Sequence, residues 1–246
     1  MFERSSLSEQ VEVALRNEIT SGRMAPGQRI SANDLKTAWN ISSTPLRDAV
    51  RSLEAQGFVI VEARKGIYVA PMDTKAVSEI FELRIALECM AVERATPLAP
   101  EKDTSRVLNG YLDAEKAAAS GDLSIASKVD RSVHDFTRAH CGNERLQKAL
   151  ASHMELIRWA QRAINRKVPA AYVIALPEHI QIMRAMCARD ADGAARAMRT
   201  HLENSRERLK AQLATDGGWR IGRASHEEPV NRDLDRRGPS AKRIRS

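Results

Sequence analysis

Apolar residues recur every three or four positions along almost the whole chain, and only one pair of β-prone runs interrupts this helical spacing. The two runs are Phe58–Val61 and Ile67–Val69, and the five residues between them include two basic ones. Such a pair predicts a β-hairpin with a basic tip. Because the 246 residues include only 12 glycines, 9 prolines and 4% aromatics, a mainly β protein is disfavoured. We therefore predict a mainly α fold.

Three helices are predicted before the hairpin. The first follows a candidate cap at Ser8 and breaks at Gly22, and the second begins at Ser31. The third follows a tight turn over residues 40–42. Helix, helix, turn, helix and hairpin is the order of a winged helix-turn-helix, so we assign residues 1–72 to a DNA-binding domain of that type.

The remainder of the chain is predicted to contain a second domain and a tail. Residues 73–214 have nearly continuous helical spacing, with breaks that indicate about six helices packed as an antiparallel bundle. Residues 215–246 lose this spacing and are rich in Arg, Gly, Ser and Pro, which predicts a basic, disordered tail.

Cysteine usage and hydropathy favour a cytoplasmic protein. Cys89, Cys141 and Cys187 are widely spaced and form no C-x-x-C pair, which suits a reducing compartment. The N-terminal residues lack an apolar core, and no apolar run approaches the roughly 20 residues that span a bilayer. We therefore expect a protein that is neither exported nor embedded in a membrane.

The net charge of +7 gives only modest support for a nucleic-acid partner, because the basic residues are spread along the chain. Residues 1–72 carry 9 basic and 8 acidic side chains, residues 73–214 carry 22 and 19, and residues 215–246 carry 8 and 5. The case for DNA therefore depends on where particular arginines lie.

The third helix carries a candidate DNA-reading face opposite its apolar stripe. Arginine can bond two acceptors of guanine in the major groove, while hydroxyl groups and helix N-termini suit phosphates. The alternative is that the arginines are solvated and have Asp48 as a local counter-charge. The candidate DNA-binding residues on the helix and hairpin tip are Ser42, Ser43, Thr44, Arg47, Arg51, Arg64, Lys65 and Gly66.

Residues 8–70 resemble the N-terminal domain of GntR-type bacterial regulators. The resemblance rests on Leu15–Ile19, Gly22, Pro26–Ile30, Thr44–Val50, Leu53-Glu54 and Gly57–Val59. The family usually has an arginine between the serine and the threonine before the proline, where this chain has Ser43. The resemblance implies DNA binding, and this departure implies an atypical operator or affinity.

Four residues of the second domain have spacing that suits a metal site. Asp130 and His134 are four residues apart on one predicted helix, so they project to the same side. His179 and His201 are each eleven residues from a turn near Asp190, so an antiparallel hairpin would bring them to one height. One carboxylate and three imidazoles suit zinc, nickel or manganese rather than calcium. We place zinc first, although this ligand set does not choose among the three.

The alternative for any single histidine is an ordinary hydrogen-bonded or surface side chain. We assign His140, His153 and His226 to that class. The other histidines stand apart because residues 75–213 resemble the FCD domain of the FadR-like branch of GntR regulators. That resemblance implies that an Asp-x-x-x-His pair and two later histidines hold a divalent metal.

Three further residues are candidates for binding a small organic acid. Arg84 falls in an apolar stripe, where an arginine is costly unless it meets an anion, and the alternative is an ion pair with Glu88. Arg208 lies two turns after His201, and a solvent-exposed charge is its alternative. Asn143 belongs to the segment Gly142–Leu146, which also resembles the family.

The function predicted from these features is a cytoplasmic, homodimeric transcription regulator, most often a repressor in this family, controlled by a small carboxylate at a metal site. A metal-dependent hydrolase or lyase using the same Asp and His residues is the competing hypothesis. No second carboxylate near these ligands is an obvious general base, so we predict no enzymatic activity. An RNA- or single-strand-binding protein is disfavoured because few aromatic side chains are available for stacking.

Overall fold

The computed structural model describes residues 6–165 and 170–215. These residues divide into two compact units, of which the first holds residues 6–73 and 158–163 and the second holds the remainder. The predicted mainly α fold, an N-terminal winged helix-turn-helix followed by a helical bundle, is confirmed. No helix in the described part of the chain is long and apolar enough to cross a membrane.

The N-terminal unit combines three helices with a small antiparallel sheet. Its elements are α1 (Leu7–Thr20), β1 (Arg29–Ile30), α2 (Ala32–Trp39), α3 (Ser43–Ala55), β2 (Val59–Glu62) and β3 (Gly66–Val69). The sheet order is β1-β3-β2, so the predicted hairpin has a third strand that the sequence analysis missed. Because β1 contains only two residues, it offers no alternation of polar and apolar side chains to detect.

The N-cap of α1 lies two residues before the predicted one. Ser6, not Ser8, is the N-cap: its hydroxyl accepts from the amide of Glu9, and the Glu9 carboxylate accepts from the amide of Ser6 at 2.7 Å. This reciprocal capping box satisfies two amides that otherwise have no helical partner. Ser8 is instead inside the first turn.

The turn between α2 and α3 depends on Asn40, which has a φ of +50° at the C-cap of α2. Asparagine tolerates this left-handed conformation better than most residues. The following helix buries one stripe of side chains, Leu46, Ala49, Val50 and Leu53. Burying this stripe leaves the opposite face of α3 exposed to solvent.

Seven helices follow the N-terminal domain in the described part of the chain, compared with about six predicted, and residues 158–163 of one of them belong to the first unit. They are α4 (Thr74–Leu98), α5 (Glu101–Ala119), α6 (Ser124–Val129), α7 (Ser132–His140), α8 (Glu144–Asn165), α9 (Ala170–Cys187) and α10 (Ala191–Thr215). The predicted break at residues 166–169 and the predicted tail from residue 216 onward lie outside the described residues.

The additional helix arises because the predicted single helix through Asp130 is divided into α6 and α7. The buried hydroxyl of Tyr111 accepts from the amide of Val133 at 2.9 Å and donates to the carbonyl of Asp130 at 3.4 Å. Val133 would otherwise donate to the carbonyl four residues earlier in a continuous helix. Asp130 is therefore the C-cap of α6 and does not share a helix with His134.

Helix packing directs four elements toward one interior region of the second unit. Helix α4 packs against α10 and α7, while α9 packs against α10 and α5. The α4 stripe is buried as predicted at Val77, Phe81 and Val92, and it carries Arg84 and Glu88 inward. Polar side chains from α4, α7, α9 and α10 therefore meet in an apolar interior.

Candidate functional site

The exposed face of α3 presents two arginines that lie one turn apart. Arg47 and Arg51 are exposed, and neither has a hydrogen bond or ion pair within the described chain. Asp48, the proposed counter-charge, instead accepts a hydrogen bond from Ser8 at 3.5 Å. Asp48 therefore does not pair with these arginines, and their exposure fits both the solvated alternative and a DNA-reading face.

The N-terminus of α3 exposes the predicted hydroxyl groups. Ser42, Ser43 and Thr44 are all exposed, and the Ser42 side chain makes no capping hydrogen bond. The ammonium group of Lys36, on α2, lies 3.4 Å from the Ser43 hydroxyl. Lys36 thus brings a cation next to Ser43, the position where the family usually has an arginine. Lys36 was not among the residues predicted to bind DNA.

The hairpin tip adds further positive charge. Arg64 and Lys65 are exposed, and Lys65 forms an ion pair with Glu62 at 3.1 Å. Gly66 has a φ of +125°, which favours glycine, and a Cβ atom there would lie 3.3 Å from Nε of Arg29. Arg29 was also missed, because only the pairing of β1 with β3 places it at the hairpin.

Three buried histidines converge in the second unit. His134 on α7, His179 on α9 and His201 on α10 have ring nitrogens that all lie within 4.8 Å of one another. Nε2 of His179 is 3.2 Å from Nε2 of His201, across the helical hairpin whose turn lies near Asp190. Their exposed fractions are only 1–6%, so water does not solvate these rings freely.

Two glutamates that the sequence did not place in the site contact Nδ1 of two of these rings. Glu88 on α4 contacts Nδ1 of His134 and also accepts from Nε of Arg84 at 2.5 Å. Glu178 on α9 accepts from Nδ1 of His201 at 2.7 Å. The position of Glu178 directly before His179 was a signal in the sequence. That its side chain reaches α10 rather than another helix depends on the fold.

The electrostatics of the site favour neutral rings at His179 and His201 beside ionised carboxylates at Glu88 and Glu178. Burial lowers the pKa of His201 to about 4, and it lowers that of His179 well below the ordinary histidine value. Burial would raise the pKa of Glu88, but the charges of Arg84 and His134 lower it overall. Hydrogen bonds from Arg208, His201 and Asn204 likewise outweigh burial and lower the pKa of Glu178 to about 2.

Asp130 is near the histidines but outside their close group. Its carboxylate is not among the groups whose ligand atoms lie within 4.8 Å of one another in the described chain. Burial raises its pKa, while the positive charges of His134 and Arg84 oppose that shift. A partly desolvated carboxylate of this kind is stabilised by a neighbouring cation.

The three candidate effector-binding residues have different surroundings. Arg84 is buried against Glu88 and His134, and its Nη1 atom has no hydrogen-bond partner within the described chain. Both terminal nitrogens of Arg208 bond to Glu178 at 2.9 Å. The Asn143 side chain accepts from the amides of Arg145 and Leu146 at 3.1 Å, which are the contacts of a helix N-cap.

The remaining histidines have ordinary hydrogen bonds where the structure describes them. His140 bonds to the carbonyl of Phe136 and His153 to the carbonyl of Ile80, each at 2.9 Å. His226 lies outside the described residues.

Comparison with known proteins identifies both parts of the chain. Residues 7–69 match the bacterial regulatory proteins of the gntR family, and residues 79–204, about half of the chain, match the FCD domain. The chain belongs to the GntR family of transcriptional regulators. This GntR-family regulator binds DNA through its N-terminal domain, and the matched families and relatives are transcription regulators rather than enzymes.

Named relatives of the GntR-family regulator extend over most of its length. The HTH-type transcriptional regulator BphR of Paraburkholderia xenovorans is 28% identical, covering 81% of this chain and 84% of its own. The HTH-type transcriptional repressor RspR of Escherichia coli is 23% identical, covering 87% and 93%. The solved structure of E. coli McbR/YncC shares the fold, with a TM-score of 0.64, 20% identity, and coverage of 85% and 100%.

The histidine group of this GntR-family regulator fits a divalent metal ion. Neutral imidazoles are good ligands for zinc and its neighbours, and the carboxylates on the outer nitrogens of His134 and His201 resemble the usual second layer of a metal site. Nδ1 of His179 is buried without a hydrogen-bond partner in the described chain. His134, His179 and His201 could therefore hold a metal ion.

Proposed function

We propose that this regulator releases or retains its operator according to whether a small carboxylate occupies a metal site in the helical domain. Residues 1–72 serve as the DNA-binding domain, residues 73–214 as the effector-binding and dimerisation domain, and residues 215–246 as a basic tail. The observation that carries this proposal is the convergence of three buried imidazoles beside the buried cation of Arg84.

In this proposal the metal ligands are Asp130, His134, His179 and His201. The three histidines would supply imidazole nitrogens, and Asp130 would supply a partly buried carboxylate, which a neighbouring cation stabilises. Zinc is the first candidate, with nickel or manganese as alternatives. When bound, such an ion supplies Lewis acidity toward an anionic oxygen.

Arg84 is the proposed clamp for the effector carboxylate. Its Nη1 atom is buried and unpaired within the described chain, whereas its Nε atom is held by Glu88. An anion that bonded to Nη1 would satisfy a buried charged group that otherwise costs stability. Asn143 and Arg208 remain predicted effector contacts, although the Asn143 side chain now bonds to two amides of α8 and Arg208 bonds to Glu178.

For operator binding we propose direct contacts from α3 and the hairpin. Arg47 and Arg51 would read bases in the major groove, while Ser42, Ser43 and Thr44 would contact phosphates. Arg64, Lys65 and Gly66 would lie against the flanking backbone or minor groove. We infer repression as the mode of action because members of this family are most often repressors. The relative RspR is named as a transcriptional repressor.

Metal analysis of single-histidine variants tests the site. We expect purified wild-type protein to carry about one divalent ion per chain, and both His179→Ala and His201→Ala to lose it. His140→Ala is the matched control because His140 bonds only to a backbone carbonyl in the described structure. Full metal retention in both cluster variants would exclude the proposed ligands.

A further inference from the structure

Glu178 bonds to three side chains of α10 at once, one of which is the clustered histidine His201. Its carboxylate accepts from Nδ1 of His201 at 2.7 Å, from Nδ2 of Asn204 at 2.8 Å, and from both terminal nitrogens of Arg208 at 2.9 Å. His201, Asn204 and Arg208 follow a helical spacing of three and four residues, so they share a face of α10. The carboxylate therefore ties α9 to one face of α10.

The contact with Glu178 determines which nitrogen of His201 is available. An ionised carboxylate only accepts hydrogen bonds, so the bonded Nδ1 atom must carry the proton. In a neutral imidazole the other nitrogen then has a free lone pair. Nε2 of His201 is directed into the histidine group, 3.2 Å from Nε2 of His179.

Within the described residues, the other two histidines do not bond to a carboxylate that joins α9 to α10 in the way Glu178 does. Glu88 contacts His134, but it also bonds to Arg84 one turn away on its own helix. Nδ1 of His179 has no hydrogen-bond partner in the described chain. Of the three rings, only His201 is fixed by a carboxylate that is itself held by both an arginine and an asparagine.

We propose that Glu178 is a positioning residue of the metal site, and that Arg208 acts on the metal through Glu178. Glu178 holds His201 in the Nδ1–H tautomer and presents Nε2 to the ion, while Arg208 and Asn204 fix the orientation of the carboxylate. This inference rests on the proposed metal site. It assigns Arg208 a supporting role that does not require contact with the effector.

The test is the affinity of the purified full-length chain for Zn²⁺, measured by competition with a chromogenic chelator. Glu178→Gln keeps the shape of the side chain but removes its charge, and we expect affinity to fall by about 10- to 100-fold. Arg208→Gln should give a smaller loss, because Glu178 can still accept from His201. Glu207→Gln is the control, since Glu207 lies on α10 next to Arg208 and pairs with Lys210 at 3.2 Å.

Nitrogen-15 NMR of the metal-free protein reports the tautomer of His201, which would not change if Glu178 only stabilised the fold. Wild type should show His201 in the Nδ1–H tautomer, and Glu178→Leu should show a mixture of tautomers or the Nε2–H form. This measurement uses folded protein without metal, so it remains informative if Glu178→Gln binds metal too weakly to titrate.

The outcomes separate this inference from the proposed metal site. If wild type binds Zn²⁺ and Glu178→Gln binds it equally well, the positioning role is overturned while the site stands. If wild type itself binds no divalent ion, the metal site fails and the positioning role fails with it. An unchanged His201 tautomer in Glu178→Leu would also overturn the role assigned to Glu178.

Discussion

Arg84 was predicted either to pair with Glu88 or to bind an effector carboxylate, and its geometry is compatible with both. The predicted ion pair with Glu88 is present, with Nε of Arg84 2.5 Å from the carboxylate. That pair uses one side of the guanidinium and leaves Nη1 buried without a partner in the described chain. A guanidinium has five N–H donors, so an ion pair and an effector contact are compatible.

At the same scale, Arg47 carries a prediction for operator binding. Replacing Arg47 with alanine would remove the donor pair that we propose reads guanine, so operator affinity should fall by about 1–3 kcal/mol, roughly 5- to 150-fold. A gel shift with the region upstream of the protein's own gene measures this change. Arg106→Ala is the control because Arg106 is an exposed arginine on α5. Equal binding by the wild type and Arg47→Ala would remove the recognition-helix assignment.

Secondary-structure elements were predictable where the pattern is local. Helix α3 and the β2–β3 hairpin follow from apolar spacing and turn residues near in sequence. Strand β1 could not be predicted, because it exists only through its pairing with β3. The break between α6 and α7 depends on Tyr111, which lies about twenty residues earlier in the chain.

The candidate site shows the same division between local and long-range information. Spacing alone suggested that His179 and His201 meet, because both are equidistant from one turn. The involvement of Glu88 with His134 required knowledge that α4 packs against α7. A carboxylate that bonds to a metal-ligand histidine has no fixed spacing from it in the sequence, so Glu88 and Glu178 were not recognised as part of the site.

The start of α1 provides a stability prediction at the element scale. Ser6→Ala removes the capping hydroxyl and should destabilise the N-terminal domain by about 0.5–2 kcal/mol. Ser8→Ala, inside the helix, should cost less, because its hydroxyl makes only a long contact of 3.5 Å with Asp48. Thermal unfolding followed by circular dichroism compares the two variants. A larger loss for Ser8→Ala would contradict the capping assignment.

Strand β1 carries a second prediction at this scale, through Arg29. Its guanidinium lies against Gly66, next to the hairpin-tip residues that we propose contact the DNA backbone, so we expect Arg29 to add a phosphate contact. Arg29→Ala should weaken binding evenly across DNA sequences and reduce the salt dependence of the affinity by about one phosphate contact. Fluorescence anisotropy at several salt concentrations measures both effects, with Lys116→Ala on α5 as the control. An unchanged salt slope would exclude a phosphate contact by Arg29.

At the scale of the whole molecule, reading two half-sites requires two copies of the DNA-binding domain. Helix α4 exposes Leu83 and Met90, two turns apart on one face, with exposed fractions of 49% and 50%. A second copy of this chain would remove these apolar side chains from water. We therefore expect a homodimer in which this face of α4 is buried.

Placing charges on the α4 face tests the homodimer. Leu83→Glu combined with Met90→Glu should shift the mass measured by light scattering from two chains to one, and should weaken operator binding. Lys75→Glu with Glu79→Lys, on the exposed first turns of α4, is a matched control. A dimeric mass for the double glutamate variant would place the dimer contact elsewhere.

Control of DNA binding by an acid at the metal site is tested by operator affinity against a panel of sugar acids and hydroxy acids, with zinc-loaded and chelator-treated protein side by side. We expect at least one acid to change the affinity of the zinc-loaded wild type by about 5- to 150-fold. The same acid should have no effect on chelator-treated protein or on zinc-treated His201→Ala. Equal responses with and without metal, or no response to any acid, would show that the metal site does not control operator binding.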